Sequence, residues 1–255
     1  MAQTTRNRSY RWTPDVPDRR DFKFAATFKP ETLAKTLPTS VDLRPKMSKV
    51  EDQGQLGSCT ANALAGSLEC LEGIKKQAMT DLSRLFIYYN ERVIEGSVRS
   101  DSGAMLRDGI KTLAKQGVCT EKIWPYNIGR FTVKPTPAAY QDALGRKITS
   151  YHRLHTVTDM KTCLASGYPF VFGFAVYDSF ESEEVAKTGV LNMPQDGEGY
   201  LGGHAVCAVG YDEASKRLIV RNSWGTGWGQ KGYFTMPYDY VADRDLSDDF
   251  WVVQN

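Results

Sequence analysis

The order of the hydrophobic patterns is the feature that most limits how this chain can fold. Patterns with helical spacing come first, and short β-rich apolar runs come later. The helical patterns cover residues 59–71, 83–89 and 104–113, and Gly117 can end the third. The strand-like runs cover 168–176, 204–211, 217–221 and 232–236, and a polar turn at 212–216 predicts a hairpin. Helices followed by strands predict an α+β protein with two lobes.

Size and charge narrow the range of partners. The 255 residues are 41% hydrophobic, which is enough to build one large domain or two closely packed lobes. The 32 basic and 30 acidic side chains leave a formal net charge of +2, so we expect neither nucleic acid nor an anionic membrane as the main partner. No run approaches the roughly 18 apolar residues that a membrane helix needs.

The cysteines indicate a reduced protein. The chain has an odd number of cysteines, so at least one thiol is free or in an intermolecular bond. No pair of cysteines has the spacing of a zinc knuckle or a redox motif. Because they are scattered widely, we expect no essential disulfide, no metal and no other cofactor. The polar first ten residues lack the apolar stretch of a secretory signal, which favours a cytoplasmic location over a secreted one. The cysteines are Cys59, Cys70, Cys119, Cys163 and Cys207.

The first 36 residues differ from the rest of the chain. They are rich in Arg, Lys, Pro and Asp, and their apolar residues follow neither a helical nor a strand period. Large aromatic side chains seek apolar surface rather than water, so we expect an extended segment that packs onto the body of the protein. A partly disordered tail is the alternative. The aromatic residues of this segment are Tyr10, Trp12, Phe22, Phe24 and Phe28.

The sharpest chemical signal is the sequence QGQLGSC at residues 53–59. A glycine-containing loop delivers Cys59 to the first turn of a predicted helix, which Ser58 can cap. The positive end of the helix dipole favours a thiolate there, and the thiolate is the nucleophilic form of cysteine. Cys59 is therefore a candidate nucleophile. The alternative is a buried cysteine that packs as a small hydrophobic group.

A second set of polar residues belongs to the predicted hairpin. His204 opens one strand, and Asn222 and Trp224 follow the returning strand. The hairpin can bring the Asn222 amide oxygen to the imidazole N–H, which would orient the ring toward a nucleophile. Trp224 can cover that bond and exclude water. A lone histidine on a strand is usually structural, but this combination indicates a Cys–His catalytic site.

Several of these motifs together resemble the papain family of cysteine peptidases. The segment 37–59, with LP at 37–38 and VDLR at 41–44, resembles the start of the family's mature sequence. NSWGTGWG at 222–229, followed by GYF at 232–234, resembles its asparagine–tryptophan signature. The resemblance covers about residues 37–255 and is looser over 127–165. Four shorter matches lie between the two segments, in the order that the family has them. They are LS at 82–83, DSG at 101–103, WPY at 124–126 and HAV at 204–206.

The resemblance implies a role for each matching residue. Cys59 is then the nucleophile, His204 the general acid and base, and Asn222 the residue that orients the histidine. Gln53 donates a side-chain hydrogen bond to the oxyanion of the tetrahedral intermediate, and the Cys59 backbone N–H is the second donor. The implied substrate-binding residues are Gly103, Met105, Gly173, Ala205 and Trp224; Met105, Gly173 and Ala205 form the pocket for the second residue before the scissile bond.

Two positions depart from the best-known members of the family. Thr60 follows the nucleophile where those members carry tryptophan, and we expect this change to alter one wall of the cleft. Leu56 stands where they carry a disulfide-bonded cysteine, and the loop 100–103 lacks the partner cysteine. These departures indicate a bacterial-type or other non-secretory branch.

The implied fold is α+β and papain-like, with a helical left lobe, a β-barrel-like right lobe and the active site in the cleft between them. We expect an N-terminal extension at 1–36 and a peptidase domain at 37–255. Within that domain, 48–148 would form the helical lobe and 149–240 the β lobe, and the C-terminal residues would cross back.

The implied activity is hydrolysis of peptides or proteins by a monomeric endopeptidase, through a thioester acyl-enzyme. The alternatives are an exopeptidase, an acyltransferase or transglutaminase-like enzyme on the same triad, and a non-catalytic peptide-binding protein. The substrate cleft is the largest apolar groove of the implied fold, so part of the segment 1–36 is expected to lie in it and restrain activity. A strap along the back of the β lobe that only adds stability is the alternative.

Overall fold

The computed structural model describes residues 8–28, 37–75 and 78–255. Residues 1–7 and 29–36 of the N-terminal extension, and the side chain of Phe28, lie outside the described residues. Helices and one antiparallel sheet make up the fold, which confirms the predicted α+β class. The helices are α1 (Phe24–Phe28), α2 (Cys59–Ile74), α3 (Arg84–Glu95), α4 (Leu106–Lys115), α5 (Pro137–Ala143), α6 (Val157–Ala165), α7 (Glu183–Thr188) and α8 (Tyr238–Ala242).

The sheet has seven strands in the order β2-β7-β3-β4-β5-β6, and β1 pairs with β4 off this path. The order leaves β2 and β6 at opposite ends, so the sheet is not closed into a barrel. The strands are β1 (Ser40–Asp42), β2 (Ser150–Arg153), β3 (Phe170–Tyr177), β4 (Tyr200–Asp212), β5 (Arg217–Arg221), β6 (Tyr233–Pro237) and β7 (Ser247–Gln254).

The predicted hairpin is formed by β4 and β5. Its register pairs Asp212 with Arg217 and Cys207 with Arg221, so the polar turn closes where the sequence predicts it. On its other side β4 pairs with β3, which places His204 opposite Phe174. Since β4 has neighbours on both sides, the strand that carries His204 is fixed in the interior of the sheet.

The helix starts follow the sequence signals in one case and depart from them in another. Ser83 caps α3 by accepting a hydrogen bond from the Phe86 N–H at 3.1 Å, as expected. Ser58 stands at the N-cap position of α2, but its side chain makes no capping bond. Its hydroxyl instead pairs with the Tyr126 hydroxyl at 2.6 Å. The expected Ser58 cap was wrong because a more distant loop supplies a competing partner.

Two apolar clusters lie on opposite faces of β3 and β4. Alternate residues of a strand point to opposite faces. Val171, Ala205 and Cys207 therefore pack with α2, α3 and α4, while Phe172 and Val206 pack with the other cluster. The last residue also meets the helical side, because Asn255 accepts a hydrogen bond from Lys75 Nζ at 2.7 Å.

The five cysteines are all buried, and none of them is in a disulfide. Leu56 stands where the best-known family members carry a cysteine. It is buried in the apolar cluster that includes α2, α3 and α4. Apolar packing thus replaces the missing covalent link at that point. Within the described part of the chain, no helix combines the length and apolar character needed to cross a membrane.

We call residues 8–28 the strap. Its second half runs along the sheet edge, where the Arg153 N–H donates to the Phe22 carbonyl at 2.7 Å. Phe24 is fully buried among the phenylalanines of the β cluster. The strap therefore packs onto the body of the protein, as its aromatic content predicts.

Candidate active site

Cys59 is the first residue of α2 and is fully buried. The backbone N–H groups of Ala205 and Arg11 lie near enough to its sulfur to lower the pKa of the thiol. Ala205 follows His204 on β4, so the start of the helix and the histidine strand meet at the thiol. Packing of α2 against β4 thus brings together the two elements that carry the candidate catalytic residues, which are far apart in sequence.

His204, Asn222 and Trp224 come together as the hairpin predicts. The imidazole Nε2 lies 2.9 Å from Asn222 Oδ1. The Trp224 ring stacks on the imidazole, with ring centroids 5.2 Å apart and planes inclined by 26°. The other ring nitrogen, Nδ1, is buried and has no hydrogen-bond partner among the described residues. Nδ1 is therefore the ring nitrogen that Asn222 leaves unoccupied.

Gln53 lies in the loop before α2, and hydrogen bonds hold both its side chain and its backbone. Its Nε2 donates to the Leu56 carbonyl at 3.0 Å, and its Oε1 accepts from the Ser223 hydroxyl. Its backbone N–H donates to the Ser223 carbonyl at 2.9 Å. Because Ser223 follows Asn222, these bonds tie the cysteine loop to the histidine hairpin. The amide nitrogen carries a second N–H that can donate to an oxyanion.

Two walls flank the groove beside Cys59. Gly173 and Ala205 are paired neighbours on β3 and β4 and form one wall. The loop that leads into α4, which contains Gly103 and Met105, forms the other. The structure therefore brings the strand pair and this loop to one groove beside Cys59.

The first part of the strap lies between these walls. The Trp12 N–H donates to the Gly203 carbonyl at 2.9 Å, and the Thr13 N–H donates to the Ala104 carbonyl at 3.2 Å. A Cβ atom added at Gly173 would lie 1.9 Å from the Trp12 indole. Trp12 thus occupies the pocket that the sequence assigned to substrate.

Thr60 does not form a wall of the cleft, contrary to expectation. It is fully buried, and its hydroxyl donates to Glu91 Oε2 on α3 at 2.9 Å. The side chain is short and polar, so it turns inward to a buried acceptor instead of lining the groove. The substitution affects the support of α2 rather than the substrate surface.

Sequence patterns missed a buried ionic group, which we call the Asp15 anchor. The Asp15 carboxylate accepts from the Arg107 N–H at 3.1 Å and from the Trp251 indole N–H at 2.8 Å. The Asp15 N–H donates to Asp249 Oδ2 at 2.7 Å, and Asp249 pairs with Arg153. These partners are distant in sequence, so no periodic signal could have joined them.

The model of the papain family of cysteine proteases matches residues 37–250. The chain belongs to this family. It is accordingly a papain-like cysteine peptidase, a hydrolase that acts on peptide bonds.

Relatives and solved structures agree with the family assignment. A peptidase C1-like protein of Acanthamoeba polyphaga mimivirus is 45% identical over 278 aligned positions, covering 100% of this chain and 89% of that protein. Xylellain, a cysteine protease from Xylella fastidiosa, is 43% identical with a TM-score of 0.90, covering 100% of this chain and 99% of that chain. Bromelain from Ananas comosus, in complex with the E64 inhibitor, is 25% identical with a TM-score of 0.68, covering 86% and 99% of the two chains.

The strap covers the candidate active site of this papain-family protease, and burial there keeps Cys59 and His204 uncharged. Burial raises the pKa of the Cys59 thiol to about 11, and the nearby backbone N–H groups of Ala205 and Arg11 oppose this only in part. Burial also lowers the pKa of His204 to about 4, against the effect of the Asn222 hydrogen bond, and the positive charge of Arg8 adds to the lowering. With the strap in place, thiol and imidazole are both uncharged near neutral pH.

The acidic, histidine and cysteine side chains do not gather into a metal site in residues 8–28, 37–75 and 78–255: no group of three or more of them is placed to hold an ion.

Replacing Cys59 by alanine should abolish peptide hydrolysis, by at least about 10⁴-fold, because it removes the candidate nucleophile. His204→Ala should be nearly as damaging, and Asn222→Ala should cost about 10²-fold because the imidazole loses its orientation. Hydrolysis of a fluorogenic peptide measures these losses, and thermal melts check folding. Cys163→Ala, which removes a buried thiol far from the cleft, is the control. Near wild-type hydrolysis by folded Cys59→Ala protein would contradict the assignment.

Proposed function

We propose that this protease is a cysteine endopeptidase that works through Cys59 and His204, and that the strap restrains it. The observation that supports this most directly is the position of Arg11 and Trp12. The Arg11 carbonyl accepts a hydrogen bond from the Ala104 N–H at 3.2 Å across the groove, and Trp12 fills the pocket formed by Gly173 and Gly203. A substrate cannot enter while these two residues stay there.

The proposed reaction follows from the arrangement of donors around the thiol. The Cys59 thiolate attacks the substrate carbonyl carbon, and the oxyanion accepts hydrogen bonds from Gln53 Nε2 and the Cys59 N–H. The imidazolium of His204 gives its proton to the departing amine as the C–N bond breaks. Water, deprotonated by His204, then attacks the thioester, which releases the acid and restores the thiolate. Asn222 holds the imidazole in position throughout.

Endopeptidase action is supported by the course of the strap. Arg8 lies on Trp224 beyond His204, and Trp12 lies in the pocket on the other side of Cys59. The groove therefore accommodates extended chain on both sides of the nucleophile. An exopeptidase would need one of these sides to be closed.

The direction of the strap explains how it can occupy the cleft without being cut. A substrate would run from the pocket at Gly173 toward the leaving-group side at His204. The strap runs the other way, from Arg8 at Trp224 to Trp12 at the pocket, and Trp12 pairs in parallel with Ala104. A reversed chain presents its carbonyl groups in the wrong orientation for attack by Cys59.

Release of the strap would also change the ionisation of the site. Burial is the first cause of both the raised Cys59 pKa and the lowered His204 pKa. When the strap leaves, water reaches both groups, and the charge of Arg8 moves away from the imidazole. Both changes favour the thiolate–imidazolium pair. The strap is thus proposed to block access and to suppress the reactive ionic form.

Trp12→Ala in the full-length chain should speed both labelling of Cys59 and peptide hydrolysis. Loss of the buried indole removes apolar contact worth about 1.5–3 kcal/mol, which corresponds to roughly a 10- to 100-fold shift toward the open cleft. The labelling reagent is E64, the inhibitor found in the bromelain complex. Mass spectrometry locates the modified residue.

Phe22→Ala is the matched control for that experiment. Phe22 is a strap aromatic that is 63% exposed and lies beside Tyr151, away from the cleft. Its removal should leave the labelling rate unchanged. Equal rates for wild-type and Trp12→Ala protein, with both folded, would show that the strap does not gate the site.

The pocket at Gly173 should select a bulky apolar residue, such as Leu or Phe, at the second position before the scissile bond. Ala205 and Met105 add no charge, and burial of such a side chain favours it over Asp or Arg by roughly tenfold or more. The Trp12 indole N–H is buried there without an acceptor among the described residues, a cost that Leu and Phe avoid. A positional peptide library with the Trp12→Ala enzyme measures the preference, and selection of Arg or Asp would refute it.

The Asp15 anchor links strap docking to pH. Burial, followed by the neighbouring Asp15 charge, raises the pKa of Asp249 to about 7, and burial likewise raises the pKa of Asp15. Arg153 and Arg107 oppose these shifts, and Asp248 adds to the shift at Asp249. Undocking exposes Asp15, so both carboxyl groups return toward ordinary values near 4. The docked form therefore binds more protons between about pH 4 and 7, and rising pH weakens docking.

The ratio of the E64 labelling rate of wild-type protein to that of Trp12→Ala protein should increase, by about tenfold or more, from pH 5 to pH 8. The ratio cancels the titration of Cys59 and His204 themselves. Asp249→Asn should flatten it, since the amide does not titrate and asparagine tolerates the positive φ of 58° at this position. A wild-type ratio that falls or stays constant with pH would rule out this linkage.

A further inference from the structure

One end of the cleft carries a charged feature that the reaction does not use. Glu181 closes the short 3₁₀ turn Asp178–Glu181, beside the Trp224 ring that covers His204. The Arg8 guanidinium carbon lies 3.7 Å from the Trp224 ring centroid, and Arg8 Nε lies 3.9 Å from Glu181 Oε2. The Tyr10 hydroxyl also donates to Glu181. An aromatic face and a carboxylate thus hold a cation together.

The surroundings of this feature are acidic. Residues 178–200 contain six acidic side chains and one basic side chain, Lys187. The Glu181 side chain is 35% exposed even with the strap in place, so its charge is accessible to a ligand. Negative potential on this side of the cleft attracts cationic peptide segments and repels anionic ones.

The chemistry of the site places this feature on the leaving-group side of the scissile bond. His204 must reach the departing amine to protonate it, and Trp224 stacks directly on His204. The pocket at Gly173 lies on the acyl side, where Trp12 now sits. A substrate residue that follows the scissile bond would therefore meet Trp224 and Glu181 once Arg8 has left.

We propose that Glu181 and the Trp224 face form a subsite for a basic side chain at the first or second position after the scissile bond. Arginine fits best, because its planar guanidinium can stack on the indole while it pairs with the carboxylate. Arg8 of the strap occupies this subsite in the restrained enzyme. The inference rests on the proposed endopeptidase function and adds its substrate class: peptides with Arg or Lys just after the cleaved bond.

The test uses full-length protein carrying Trp12→Ala and Arg8→Gln, which removes the indole from the pocket and the guanidinium from Glu181. Peptides share Phe at the second position before the scissile bond and carry Arg, Gln or Glu at the first or second position after it. The value of kcat/KM should be about fivefold or more higher for Arg than for Gln at one of these positions, and lowest for Glu. Mass spectrometry confirms that all peptides are cut at the same bond.

Variants at Glu181 identify the group responsible. Glu181→Gln should bring the Arg-to-Gln ratio close to one, and Glu181→Lys should reverse the order of Arg and Glu peptides. Glu184→Gln is the matched control, because Glu184 is an exposed acid of the same region on α7, and it should retain the Arg preference. Equal kcat/KM for Arg and Gln peptides at both positions would overturn the proposal, as would loss of the preference in Glu184→Gln but not in Glu181→Gln.

If the protein is not an endopeptidase, the same peptides give a different result. In that case no peptide is cleaved, and binding decides the question of the subsite. Fluorescently labelled Arg and Gln peptides are titrated into the same Trp12→Ala, Arg8→Gln protein. Tighter binding of the Arg peptide that disappears with Glu181→Gln upholds the subsite, and equal affinities refute it.

Discussion

The interior position of β4 is the constraint on which the site depends. Backbone pairing with β3 on one side and β5 on the other fixes the height of His204 in the sheet. The register of β5 then brings Asn222 to the imidazole, and the chain continues directly to Trp224. The start of α2 packs on the same strand, so one set of ladder hydrogen bonds positions the His204 imidazole, the Asn222 amide and the Cys59 thiol together.

Glycines along the cleft are a second requirement, because they let the strap lie close to the backbone of the body. A Cβ atom at Gly103 would collide with the Arg11 carbonyl, and one at Gly203 would collide with the Trp12 carbonyl. Gly103 also has a φ of 74°, which side-chain-bearing residues rarely adopt. Glycines therefore allow an extended chain to approach the sheet and the loop closely enough for main-chain hydrogen bonds. The strap uses this property, and an extended peptide of either direction can use it as well.

The sequence predicted those parts of the site that depend on local patterns. His204 and Asn222 lie on one hairpin, so their meeting followed from the turn between them, and Cys59 followed from its place at a helix start. The parts that depend on distant partners were not predictable. Tyr126 takes the hydroxyl of Ser58 across 68 residues, and no pattern signals that competition.

Contacts between distant charged residues were also not predictable from the sequence. The aromatic residues of the first 36 positions predicted that the segment would pack on the protein. The course and direction of the strap depended on the Asp15 anchor, whose partners Arg107 and Trp251 lie 92 and 236 residues away. Pairing of buried charges follows from the folded geometry and leaves no periodicity in the sequence. The sequence likewise shows that the turn at Glu181 is acidic, but it does not show that this turn lies beside Trp224.

The strap is attached at two separate places, the cleft and the Asp15 anchor, and this has a kinetic consequence. If the cleft contacts of Trp12 break while the anchor holds, the freed end stays within a few residues of the groove and closes again faster than a separate molecule could bind. Brief openings of this kind need no cut in the chain, and the strap stays attached. If the strap restrains the protease as proposed, its output is graded by the fraction of time that the cleft is open, and it returns to rest without new synthesis of an inhibitor.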